Sequence, residues 1–364
     1  MTRILHTADL HLAEDHPERW DALDAVLATA GERDVDVVLV AGDLLDRGED
    51  HAALRGRLRG ILDGAPCPVV VLPGNHDREA YAPGQDWGER TRIMLSEPVH
   101  VLEAGGVRLA GVPFPSDAVP FAGVRRRVAR RIREEGAAVL ALHGTLIDAS
   151  APHIQAESRE DEPDDRYFSV RTGELAGLEV AYVALGHYHQ HDLRRAGGVP
   201  VAYSGSPSPV GSHAWGPRKV VLVETGEPGA TAAEVETVDL DVPYRDTIAR
   251  WLTPFREREE LDALADELRH RADARCTMTV ELDGVLAGMA ETEVAAALEE
   301  LEDELGGAFA DLTFDRDAVG LDPARADLFR EFRRRLDDRE TTGDLDGERL
   351  RHRTLEIAAR ALKG

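Results

Sequence analysis

Five short clusters in the first half of the chain carry side chains that bind cations or move protons. They are Asp9-Leu10-His11, Gly42-Asp43-Leu44-Leu45-Asp46, Gly74-Asn75-His76-Asp77, His143-Gly144 and Gly186-His187-Tyr188-His189. Each follows an apolar run. Carboxylates, imidazoles and an amide make a mixed oxygen and nitrogen donor set. That set suits manganese, iron or zinc better than magnesium or calcium alone. Asp9, His11, Asp43, Asn75, His143, His187 and His189 are too many ligands for one ion and about right for two, with one carboxylate bridging. Two cations roughly 3.5–4 Å apart stabilise the attacking and leaving oxygens of a phosphoryl displacement. The chemistry implied is hydrolysis of a phosphate ester by activated water, without a covalent enzyme intermediate. Taken singly, each cluster has an ordinary reading as a turn, a surface pair or a helix cap. Their order, each after an apolar run, is what argues for a site.

Apolar runs at 3–8, 35–41, 69–72, 138–142 and 180–185 predict buried strands. In α/β sheets, sites form outside the carboxyl ends of the strands, where these clusters fall. Residues 17–30 and 50–63 have apolar positions three and four apart and predict helices. Runs at 99–102 and 107–112, split by Gly105-Gly106, predict a hairpin. Runs at 199–203, 219–224 and 233–240 extend the strand content, and the polar stretch 151–168 predicts a loop. The fold class expected is α/β with a mixed sheet. After Pro243, helices at 256–272 and 291–305 and strands at 276–282 and 308–314 predict a small α+β module. Two amphipathic helices at 324–336 and 348–362 follow, divided at Thr342-Gly343-Asp344. The expected modules are 1–240, 241–322 and 323–364.

The 364 residues allow two domains and an appendage, and 43% hydrophobic with 31% charged residues indicates a globular chain. No apolar run approaches the length of a transmembrane helix, so no membrane partner is expected. The N-terminus lacks a signal-peptide pattern, and Cys67 and Cys276 have neither disulfide-scaffold nor metal spacing. A reducing cytoplasm fits. The net charge of −26 argues against a protein that coats nucleic acid, though not against a local basic surface. Residues 281–322 hold 13 acidic side chains against one basic, Arg316.

The motifs DLH, GDLLD, GNHD, HG and GHYH resemble, in this order, those of the calcineurin-like metallophosphoesterase superfamily. HTADLHL, GHYH and YSGSP look most like the SbcD-type nucleases of DNA double-strand-break repair. The resemblance is dense over 1–225 and only topological beyond. It implies an α/β/β/α sandwich with mixed sheets, a smaller α+β cap and C-terminal helices. It implies two divalent metals, manganese first, with iron, zinc or magnesium as alternatives. Asp9, His11, Asp43 and His189 would hold one, and Asp43, Asn75, His143 and His187 the other. His76 resembles the family's phosphate-facing histidine, held as a donor by a carboxylate and assisting the leaving oxygen. Asp46 stands where many relatives keep the carboxylate that orients this histidine, and would either do so or face substrate. Arg78 and Tyr188 are the expected substrate-binding residues, although Tyr188 could simply pack. The resemblance further implies DNA as substrate, an SbcC-type coiled-coil ATPase as partner, docked through the C-terminal helices, and a homodimer.

Other readings compete. GDLLDRG also resembles a Ser/Thr-type phosphatase, or another phosphomonoesterase, but DLHL lacks a following glycine, GNHD replaces GNHE and GHYH is nuclease-like. A cyclic-nucleotide phosphodiesterase leaves the C-terminal modules unexplained. A non-catalytic scaffold would have lost ligands. Six arginines within 125–133 form either a solvated helix face, packed through Phe121, Val124, Val128 and Ile132, or a phosphate-backbone contact. His6, His16, His51 and His213 are not expected to bind metal. Ser204-Gly205-Ser206 is expected to be a structural turn.

Overall fold

Strands buried on both faces need apolar side chains at every position, and the predicted runs form such strands. The structure is a computed structural model describing residues 1–115, 120–148, 168–211, 214–226, 233–320, 323–338 and 347–363. In β1 (Thr2–Thr7), β2 (Val37–Ala41) and β3 (Val69–Leu72), neighbouring side chains enter different cores. Leu5, Val38, Val40, Val69 and Val71 join Trp20, Leu23 and Val26 of α1 (Pro17–Glu32) and Leu54, Leu58 and Leu62 of α2 (His51–Asp63). Ile4, Val37, Leu39, Val70 and Leu72 instead join Val139 and Ala141 of β7 (Val139–His143) and Tyr182 and Ala184 of β10 (Tyr182–Gly186). Leu140, Leu142, Val183 and Leu185 pack on Phe121, Val124, Val128 and Ile132 of α3 (Phe121–Glu135). The result is four layers, α/β/β/α.

The first sheet has the order β14-β13-β1-β2-β3-β4, with β4 at Thr91–Ile93, β13 at Lys219–Thr225 and β14 at Glu234–Asp239. The second runs β11-β12-β10-β7-β6-β5. Its remaining strands are β5 (His100–Ala104), β6 (Val107–Val112), β11 (Asp192–Ala196) and β12 (Val199–Tyr203). The hairpin β5–β6 forms as predicted. Strands β1 to β4 are parallel, as are β6, β7, β10 and β12, and antiparallel strands complete both sheets. The central strands therefore deliver their carboxyl ends together, and Gly186 pairs with His143 at two of them. A short pair, β8 (Thr145–Leu146) and β9 (Ser169–Val170), and one helical turn, α4 (Thr172–Leu175), lie beside this sheet.

The chain divides into two compact units, Met1–Tyr244 and Arg245–Gly364. The second holds a three-stranded sheet of β15 (Tyr244–Leu252), β16 (Cys276–Gly284) and β17 (Asp311–Val319), in that order. Its helices are α5 (Glu257–Arg271), α6 (Glu291–Leu305), α7 (Pro323–Asp337) and α8 (Gly347–Lys363). Phe329, Leu355 and Ala359 of the last two helices bury against Val285. Strand β15 escapes the sequence pattern because its buried residues, Tyr244, Ile248 and Leu252, stand four apart with charged residues between, a helical spacing. Strand β17 runs past its predicted end through exposed Asp315, Arg316 and Asp317. The loop predicted at 151–168 lies outside the described residues except Phe168, as do His213 and the break at Thr342-Gly343-Asp344. Among the described residues, no helix is long and apolar enough to cross a membrane.

Candidate metal centre

The loops after β1 and β2 are laced together by their own backbones. Asp9 N–H donates to the Gly42 carbonyl at 3.0 Å, His11 N–H to Asp43 at 3.0 Å and Leu12 N–H to Leu44 at 2.9 Å. Asp9, His11, Asp43 and His187 all have positive φ, at 55°, 47°, 50° and 105°. Side chains rarely adopt that region, and such strain concentrates where surrounding structure over-determines a functional geometry. Gly42 is required for another reason. With φ at +105°, a Cβ there would meet His143 Nδ1 at 1.9 Å.

These loops bring all seven candidate ligands into one cluster. Asp43 Oδ2 lies 3.1 Å from His143 Nε2 and 3.8 Å from His11 Nε2, so it faces two sets of donors. On one side, His11 Nε2 and His189 Nε2 are 3.2 Å apart, and Asp9 completes a group with them. On the other, Asn75 Oδ1 lies 2.9 Å from His143 Nε2 and 3.3 Å from His187 Nδ1. His143 Nδ1 lies 2.9 Å from the Ala41 carbonyl, and its Nε2 faces the Asn75 and Asp43 oxygens. Asp9 accepts the His187 N–H at 3.0 Å.

A family sequence model, calcineurin-like phosphoesterase, matches residues 2–191. This chain belongs to that family. Similar proteins include the DNA double-strand break repair protein Mre11 of Haloferax volcanii, 30% identical over 87% of this chain and 68% of that one. An SbcCD nuclease subunit of Bacillus subtilis is 26% identical, over 65% of this chain and 69% of its own. Its namesake from Escherichia coli K12 is 28% identical, over 68% and 70%. The protein is thus a metal-dependent phosphoesterase, a hydrolase of phosphate esters.

The electrostatics of the phosphoesterase site suit divalent cations. Burial pushes the Asp43 carboxyl up, but the charge and hydrogen bond of His143 outweigh it and hold Asp43 well below the usual carboxylate range. Burial opposes protonation of His143, yet Asp43 raises it to about 9. The field here favours positive charge. Burial, reinforced by His143, brings His187 down to about 3. Burial also lowers His11, and with His11 beside it pushes His189 well down. Three imidazoles are thereby kept as free bases, the form that ligates metal. Two buried carboxylates, with three neutral imidazoles and a fourth whose proton a cation would replace, fit two divalent ions.

Two expectations change. Asp46 does not hold His76 through its carboxylate. His76 Nδ1 meets the Asp46 backbone carbonyl at 2.9 Å, and Asp46 Oδ1 instead lies 3.3 Å from His11 Nδ1 and 3.0 Å from Arg19 Nη1. The His11 imidazole facing it outweighs burial and, with Arg19 alongside, holds Asp46 at about 2. Tyr188 is 2% exposed and packs between the His187 and Tyr203 rings, so it supports a ligand rather than meeting substrate. Arg78 stands beside the site, but its Nη1 donates to the Pro115 carbonyl at 2.9 Å and its guanidinium lies 6.0 Å from the Phe114 ring. The apolar stripe of α3 packs as expected, with its arginines at the surface. Arg130, Arg131 and Arg133 pair with Glu134, Glu135 and Glu179.

Two functional positions had no role in the sequence reading. Asp77 ends the GNHD motif and is fully buried. Its Oδ1 accepts the Gly74 N–H at 2.8 Å, and its Oδ2 accepts Leu44 N–H, Leu45 N–H and the Tyr81 hydroxyl at 2.8, 3.2 and 2.7 Å. It locks the third loop to the second. Its place beside His76 was the signal. Arg19, buried on α1, gave none. Ser204-Gly205-Ser206 is the expected turn, and it supports the His189 loop through Ser206 N–H to the His189 carbonyl at 3.1 Å.

Proposed function

We propose that this phosphoesterase is a two-metal DNA phosphodiesterase of the SbcD type, an exo- and endonuclease that works with an SbcC-type coiled-coil ATPase. The observation that carries the two-metal reading is Asp43 Oδ2, shared between the His11 and His143 sides of the cluster. Asp9, His11, Asp43 and His189 would hold one cation, and Asp43, Asn75, His143 and His187 the other, with manganese the first candidate. When bound, such cations neutralise phosphoryl oxygens and lower the pKa of water. The chain positions the rest. His76 is exposed, its backbone N–H held by Asp43 Oδ1 at 2.9 Å. With Nδ1–H donated to the Asp46 carbonyl, Nε2 is the nitrogen free to face substrate, and in the imidazolium form its N–H would pass a proton to the leaving sugar oxygen. The DNA reading draws support from one relative named as a DNA double-strand break repair protein and two named as nuclease subunits. The catalytic module is residues 1–240, with a cap at 241–322. The partner reading draws support from Leu328 of α7 and Leu350 and Ile357 of α8, apolar and 57%, 49% and 57% exposed. A homodimer belongs to the same reading.

The test is hydrolysis by purified protein with manganese or with EDTA, beside His76→Ala. Substrates are duplex DNA, single-stranded DNA and p-nitrophenyl phosphate. Manganese-dependent DNA cleavage that falls by about 100-fold or more in the variant is the expected result. Monoester turnover with DNA left intact would replace the nuclease by a phosphomonoesterase.

A further inference from the structure

We infer that Arg19 is a positioning residue for the His11 side of the metal centre, acting through the Asp46 carboxylate. The inference rests on the reading that the cluster holds divalent cations. Arg19 lies in the first turns of α1, and its side chain is 10% exposed. A buried guanidinium is costly unless it is paired. Its Nη1 donates to two acceptors, the His11 carbonyl at 2.6 Å and Asp46 Oδ1 at 3.0 Å. Both belong to the candidate metal loops.

The consequence falls on the His11 ring. Asp46 Oδ1 is 3.3 Å from His11 Nδ1, and Arg19 prevents that carboxylate from swinging outward. A carboxylate facing Nδ1 places the proton there and leaves Nε2 bare. Nε2 is the nitrogen that faces His189 Nε2 at 3.2 Å and Asp43 Oδ2 at 3.8 Å. The second bond, to the His11 carbonyl, restrains a residue whose φ is 47°. Arg19 thus sets both the backbone and the tautomer of one ligand. His76 does not compete for the Asp46 side chain, because it uses the Asp46 main-chain carbonyl.

The experiment is manganese titration by calorimetry on the full chain, comparing wild type with Arg19→Gln, Arg19→Lys and Asp46→Asn. Histidine-labelled, metal-free protein is studied in parallel by long-range proton–nitrogen spectra. Wild type should bind two equivalents. Arg19→Gln and Asp46→Asn should weaken one equivalent by about 10–100-fold and leave the other unchanged. Arg19→Lys should recover part of the loss. The wild-type His11 should carry its proton on Nδ1, and Asp46→Asn should mix the tautomers. Should Arg19→Gln fail to fold, the isosteric Asp46→Asn and the charge-preserving Arg19→Lys carry the test. Two unweakened sites in a folded Arg19→Gln, or a wild-type His11 protonated on Nε2, overturn the inference. A wild type that takes up no manganese overturns the metal reading itself, and this inference with it. The spectra tell the two failures apart.

Discussion

A carboxylate sealed among four donors does structural work that no substitute reproduces. Asp77 accepts three backbone N–H groups and one phenol, without exposure. Burial, with Asp43 nearby, raises its carboxyl to about 6. In Asp77→Asn an amide NH2 would face a backbone donor. We expect a loss of about 2–3 kcal/mol in urea unfolding, together with weaker metal binding, because the second and third loops part. A second residue tests the core. His6 is fully buried, bonded through Nδ1 to the Tyr182 hydroxyl at 2.8 Å. Burial, reinforced by His191, brings it down to about 3. The folded protein therefore keeps His6 neutral while the unfolded chain protonates it below about 6.5. Its contribution is fully present above that pH and is lost as pH falls toward 3. Between pH 7 and 5, His6→Gln should lose about 2 kcal/mol less stability than wild type. Equal losses would mean that His6 is not held neutral.

At the scale of elements, the informative parts are the turns at the strand ends. The apolar runs were readable because a strand buried on both faces needs them. The glycine before Asp43 was readable as a turn, but its packing role was not. Gly42→Ala should destabilise by at least about 1–3 kcal/mol through its positive φ alone. The Cβ would also displace His143, 1.9 Å away, so manganese retained after dialysis should fall by elemental analysis. Unchanged stability and metal content would contradict this packing. The failures of pattern reading have equally local causes. Buried residues spaced by four in β15 imitate a helix. The arginines of α3 show the same pattern whether they serve phosphate or solvent, and three of them pair with Glu134, Glu135 and Glu179.

At the scale of the molecule, a site assembled from five loops couples metal binding to folding. The donors span Asp9 to His189, so an unfolded chain cannot present them together. Manganese at about 100 times its dissociation constant should add roughly 2.7 kcal/mol per site, a rise of roughly 5–10 °C in Tm that EDTA abolishes. A Tm indifferent to manganese would count against a native metal centre. The sequence by itself determined the donor types, their order and the strands that end in them, because these follow from local composition and period. It also carried the membership of the family, whose sequence model matches residues 2–191. Only the tertiary structure decided which partner each polar group takes. Asp46 turns to His11 and Arg19 rather than to His76, Tyr188 is sealed in the core, and Asp77 becomes a clamp. The physical reason is that a hydrogen bond depends on direction and distance to within a few tenths of an ångström. Residues distant along the chain acquire that precision only when two sheets and their loops have packed.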